Sequence, residues 1–161
     1  MNSTVLGIDP GTTIIGFGVV RTSGNALEPL EHGIISNPGK DKALDLENTA
    51  RLLSALIEKH RPTTASVERL FFFNNKKTAM AVSEMRGVIL LTLARHRIPV
   101  QEFTPLQVKQ QICNYGKADK KQVQKMVQML LKLKEAVRPD DAADALALAI
   151  CGTLTSSTVR D

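Results

Sequence analysis

Residues 142–150 run Ala-Ala-Asp-Ala-Leu-Ala-Leu-Ala-Ile, a helix-forming and almost wholly apolar segment interrupted by one acid, Asp144. A helix with so little polar surface has to be covered by the rest of the fold. A carboxylate inside it needs an ion pair, hydrogen bonds or a cation. No Lys or Arg follows Asp144 within a turn, so a local ion pair is unavailable. Asp141 lies three residues earlier on the same helical face. The helix dipole favours acids in a first turn, which accounts for Asp140 and Asp141 and less well for Asp144.

The preceding segments supply the cover. Val5–Asp9 reads as a short strand stopped by Pro10-Gly11. Thr13–Arg21 reads as a second strand, with Gly16 and Gly18 marking a bulge or a close approach. After a turn at Ser23-Gly24-Asn25, Pro29–Ser36 is a third. Their short connections predict an antiparallel meander. Ala43, Leu46, Ala50, Leu53 and Ile57 recur at helical spacing up to His60, and Pro62 ends that helix. Thr63–Glu68 is a fourth strand, and Pro99–Phe103 a fifth. Between them Ala79–His96 forms a long helix, apolar nearly all round in its second half, which predicts a central, buried position. Pro105–Cys113 is a short helix, and Val123, Met126, Val127, Leu130 and Leu131 put an apolar stripe on the next, with lysines opposite. Pro139 suits the first turn of the last helix, which runs to about Leu154. This order describes an α/β fold with a mixed five-stranded sheet flanked by helices. It forms one domain over 1–154, followed by a frayed polar tail at 155–161.

Lys and Arg number 21 against 16 Asp and Glu, a net charge of +5. Placement matters more than the total. Between Lys109 and Arg138 stand eight basic residues and two acids, a larger surplus than that of the whole chain. A basic segment in an otherwise balanced protein points to a polyanion, against the plainer reading of a solvated helix face. Cys113 and Cys151 have no second ligand at zinc spacing and fit buried thiols of a reducing compartment. Thr4–Ile8 is too short for a signal peptide and Gly87–Ala94 too short to span a membrane, so a cytoplasmic location is expected.

Two more acids end apolar strands. Asp9 follows Val5-Leu6-Gly7-Ile8 and precedes the tight turn Pro10-Gly11-Thr12-Thr13. Glu68 follows Thr64-Ala65-Ser66-Val67. An Asx turn at Asp9 and a solvent-reaching Glu68 are the plain structural alternatives. Neighbouring carboxylates repel unless a cation lies between them, and oxygen-only donors suit Mg²⁺ or Mn²⁺ rather than zinc. With a basic segment just upstream, this chemistry reads as metal-assisted hydrolysis of a nucleic-acid backbone.

These residues also carry a resemblance. Gly7-Ile8-Asp9-Pro10-Gly11-Thr12, Val67-Glu68 with Phe71 soon after, Arg86-Gly87-Val88, Thr104–Lys109 and Asp141-Ala142-Ala143-Asp144-Ala145-Leu146-Ala147, in this order, resemble the RuvC family of bacterial Holliday-junction resolvases. That family lies within the RNase H-like (retroviral-integrase-like) superfamily, and the likeness covers nearly the whole chain. It implies three antiparallel strands plus two parallel ones with helices on both faces. It also implies a catalytic, metal-holding set of Asp9, Glu68, Asp141 and Asp144, with Mg²⁺ as cofactor and Mn²⁺ as substitute. The implied partners are four-way junction DNA, a second copy of the chain, and the RuvA–RuvB branch-migration complex. The family's lysines fall on Lys109 and Lys120, and its junction-stacking aromatic on Phe71, within Phe71-Phe72-Phe73. Asn75, Lys76 and Lys77 suit phosphate contact, as do Lys117 and Lys121. Asp140, beside Asp141 and four residues before Asp144, stays open as an alternative member of the acidic set. Two other functions compete: an actin-like or sugar-kinase ATPase, from Asp9-Pro10-Gly11-Thr12-Thr13, and a junction-binding module without catalysis.

Overall fold

The computed structural model describes residues 2–69 and 76–158, with the side chains of 76, 77 and 156–158 left aside. Phe71 and Asn75 lie outside the described residues, and Lys76 and Lys77 enter only as backbone. The elements are β1 (Thr4–Asp9), β2 (Ile14–Ser23), β3 (Ala26–Ser36), α1 (Lys42–His60), β4 (Thr64–Glu68), α2 (Lys76–Arg95), β5 (Val100–Phe103), α3 (Pro105–Cys113), α4 (Lys120–Leu130) and α5 (Asp140–Thr158).

One sheet carries the strands in the order β3-β2-β1-β4-β5. The first three form the expected antiparallel meander, while β1–β4 and β4–β5 pair in parallel. Gly24, at φ +60, makes the β2–β3 turn. The strand β3 starts at Ala26, earlier than Pro29. Pro29 is accommodated because β3 is an edge strand and the register shifts opposite Val19 and Val20.

Alternation along β1 sorts the core. Leu6 and Ile8 face a cluster with Leu53 and Ile57 of α1 and Met85, Ile89 and Leu93 of α2. Val5 faces the other cluster, built around Leu146, Ala149 and Ile150 of α5 with Val123 and Val127 of α4. Helices therefore cover both faces of the sheet, and β1, at its centre, is buried on both.

Two expectations need correction. Helix α2 is not buried all round: Met85, Ile89 and Leu93 face inward, whereas Met80 is 67% and Leu91 52% exposed, because the helix lies on the outside of the sheet. Helix α5 does not stop near Leu154 but runs to Thr158. The hydroxyls of Thr153 and Thr155 donate to the carbonyls of Ile150 and Cys151, so polar residues there continue the helix rather than leave it. Among the described residues, no helix is long and apolar enough to cross a membrane.

Candidate active site

The site is assembled by strand period and by close backbone approach. Val5, Gly7 and Asp9 share one face of β1, and Ser66 and Glu68 share the same face of β4. The parallel register sets Gly7 beside Ser66 and Ile8 beside Val67, which leaves Asp9 and Glu68 adjacent at the C-terminal ends of their strands. Ligands of α/β sheets bind at such ends.

Helix α5 crosses this face in backbone contact. A Cβ at Gly7 would stand 2.0 Å from the Ala145 carbonyl oxygen, and one at Gly16, the residue paired with Asp9, 2.0 Å from the Asp141 carbonyl oxygen. The glycines of β1 and β2 thus mark close approach, while the sheet's irregularity falls at Val19/Val20 instead. The first turn of α5 is thereby pressed against the end of β1, and Asp141 and Asp144 join Asp9 and Glu68.

The electrostatics follow from this crowding. The Asp9 carboxyl is pushed up to about 8, by burial first and then by repulsion from Glu68, Asp144 and Asp141. Burial, followed by Asp144, also raises Glu68. Burial raises Asp144 against the opposing pull of Lys120. The cluster therefore resists carrying its full negative charge alone, the condition a divalent cation relieves.

Asp144 departs from the sequence expectation in one respect. Its side chain keeps 35% of its exposure and has an ion-pair partner, Lys120 Nζ at 3.2 Å from Oδ2. The partner comes from α4, so nearness in sequence gave no sign of it. A capping box at Asp119 and Gln122 fixes the start of α4 and with it Lys120 in the first turn. Lys120 also reaches Asp140, at 3.5 Å. Burial works against the Lys120 charge, but Asp144 and Asp140 outweigh it and hold the ammonium above its ordinary range.

Lys109 enters the site too. A cavity of about 270 Å³ opens beside Glu68 and Asp144, and Lys109, Lys120, Val108 and Val123 line its wall. Lys117 and Lys121 stand exposed in the turn and first turn leading into α4, outside that wall. Arg86 was not foreseen as a site residue beyond its place in the family's pattern. Its Nε donates to the Glu68 carbonyl and its Nη2 pairs with Glu102 at 2.7 Å, which ties α2 to the ends of β4 and β5.

Among the described residues, no three Asp, Glu, His or Cys side chains converge tightly enough to wrap a single ion. The donor set still fits Mg²⁺ or Mn²⁺. All four donors are carboxylates, their repulsion calls for a cation, and Mg²⁺ takes only one or two protein carboxylates and keeps several waters.

Comparison with known proteins decides the family. Residues 5–152 match the family model for crossover junction endodeoxyribonuclease RuvC. The chain belongs to the RuvC family. It is 49% identical to the crossover junction endodeoxyribonuclease RuvC of Syntrophomonas wolfei over 148 residues, 91% of this chain and 86% of that one. The solved Thermus thermophilus RuvC superposes with a TM-score of 0.90 at 31% identity, covering 96% of each chain. The T. thermophilus RuvC in complex with Holliday junction substrate gives 0.92 at 32%, covering 97% of this chain and 96% of that one. RuvC membership confirms the RNase H-like fold and replaces the ATPase reading.

Proposed function

We infer that this protein is a structure-specific endonuclease that resolves four-way DNA junctions by metal-dependent phosphodiester hydrolysis, in recombination and repair. The observation that carries the reading is the carboxylate cluster at the ends of β1 and β4 and the start of α5, in a RuvC-family chain. Asp9, Glu68, Asp141 and Asp144 would hold Mg²⁺, with Mn²⁺ able to replace it. When bound, such an ion supplies an activated water and stabilisation of the leaving oxygen.

The chain's own residues supply the rest. Asp9, which burial and crowding favour in its protonated form without metal, would release that proton to solvent when the ion is bound. Lys109 and Lys120, which line the cavity, neutralise phosphate charge next to the cut. Lys117 and Lys121 extend that charge along the backbone, and Asn75, Lys76 and Lys77 are the further phosphate contacts that the sequence suggests. Phe71 stacks on an unpaired base at the junction centre.

Two copies would nick two equivalent strands, the two-fold of the protein matching that of the junction. The outer face of α2 suits such pairing. Met80 and Leu91 are exposed there, and a Cβ at Gly87 would meet open space. The RuvA–RuvB branch-migration complex is the further partner that family membership implies.

The test is cleavage of a synthetic four-way junction by protein stripped of metal and then given Mg²⁺ or Mn²⁺. Paired, symmetric nicks are expected only with metal, with linear duplex of the same sequence left intact. Junction binding without product at any metal concentration would instead favour a binding module. Sedimentation of the protein as a monomer on the junction would remove the paired-nick model.

A further inference from the structure

Helices α4 and α5 face each other through a ladder that the four carboxylates do not explain. Lys120 and Gln124 lie four apart on α4, and Asp140 and Asp144 four apart on α5, so each pair shares a face. The Asp140 carboxylate lies between them. Its Oδ1 accepts from Gln124 Nε2 at 3.0 Å and from Arg138 Nη1 at 3.0 Å, and its Oδ2 faces Lys120 Nζ at 3.5 Å. Asp140 is thus engaged outside the cluster, whereas Lys120 is shared between Asp140 and Asp144.

We propose that Asp140 is a positioning residue that gives the Lys120 ammonium a second seat, so that Lys120 neutralises Asp144 in the metal-free protein and moves toward Asp140 when a divalent ion takes Asp144. Sharing makes the exchange possible. An ammonium held by Asp144 alone competes with the incoming ion for the same oxygen. An ammonium with a carboxylate one turn away yields it and remains at the mouth of the site, where phosphate charge arrives. The inference rests on the metal reading given above for Asp144.

The experiment is Mn²⁺ titration of the DNA-free full-length protein, followed by calorimetry and by the electron spin resonance of free Mn²⁺. K120M removes the competitor and tightens Mn²⁺ binding. D140N removes the second seat and weakens binding by about two- to fivefold, the scale of an exposed ion pair. D140E restores the wild-type value. In the K120M background D140N changes binding less than twofold, because Asp140 acts through Lys120. Thermal melts of every variant separate these effects from loss of fold.

Equal weakening by D140N in both backgrounds would overturn the proposal, by making Asp140 a direct contributor to the metal site. Weaker Mn²⁺ binding by K120M would overturn it too. A wild-type protein that binds no Mn²⁺ would defeat the metal reading itself, an outcome distinct from normal binding that D140N leaves unchanged.

Discussion

The two faces of the sheet are closed in different ways. On one, Leu6 and Ile8 meet Leu53 and Ile57 of α1 and Ile89 and Leu93 of α2, large side chains against large side chains. On the other, Gly7 and Gly16 meet the backbone of α5 directly, at Ala145 and Asp141. Large side chains fill space and can shift a little when a neighbour changes. Backbone against backbone leaves no such give, and it sets the position of everything the helix carries. The face where strand glycines meet the helix backbone is the one that carries the carboxylates.

Substitutions can break that contrast. Gly16→Ala places a methyl against the Asp141 carbonyl, so α5 has to move. We expect a loss of about 3 kcal/mol in stability, together with at least tenfold slower junction cleavage by the protein that remains folded. Leu53→Ala on the opposite face should cost a similar amount, about 2–5 kcal/mol, with cleavage near normal at temperatures where the fold persists. Urea unfolding and cleavage rates measured on the same samples compare the two. Equal loss of activity per unit of lost stability would show that the faces do not differ.

The pH dependence sharpens the contrast. The Asp9 pKa is raised in the folded protein, to about 8 from an ordinary value of 3.8. The folded state therefore binds the Asp9 proton more tightly than the unfolded state does. That contribution is fully present below about pH 4 and is lost as pH rises through about 8. Asp9→Asn removes the titration. Without metal at pH 8 it should melt about 5 °C or more above the wild type, with the difference vanishing near pH 4. Adding Mg²⁺ should narrow the gap by stabilising only the wild type. A melting gap independent of pH would mean that burial and repulsion do not act on Asp9 as described.

The smallest expected effect concerns the lysines. Replacing Lys109, Lys117, Lys120 or Lys121 should lower the slope of log K for junction binding against log salt by about 0.9 for each phosphate that is no longer neutralised. Lys109 and Lys120 should also slow the chemical step, since they line the cavity beside Glu68 and Asp144. Lys117 and Lys121 should not, since both lie outside it.

Much of this was legible in the sequence, for local reasons. Strand alternation and turn residues marked the meander, and Asp144 stood out because its neighbours are Ala and Leu. What stayed hidden was non-local or a matter of degree. The Lys120–Asp144 pair joins two helices, so no spacing along one helix reveals it. The outer exposure of α2 depends on where the helix lies, which an apolar composition does not state. Pro29 read as a strand start although the edge of a sheet tolerates it inside. Thr155 read as the start of a tail, yet its hydroxyl donates to the Cys151 carbonyl within the helix. The order of the acids required the family's pattern, but the reason they meet is visible in Gly7 and Gly16.

The most direct test is Asp9→Asn compared with wild type on a four-way junction in Mg²⁺, with binding and cleavage measured on the same protein. The account predicts binding within a few-fold of wild type and cleavage slower by at least about 10³-fold, equivalent to about 4 kcal/mol of lost transition-state stabilisation. Cleavage at the wild-type rate would contradict it.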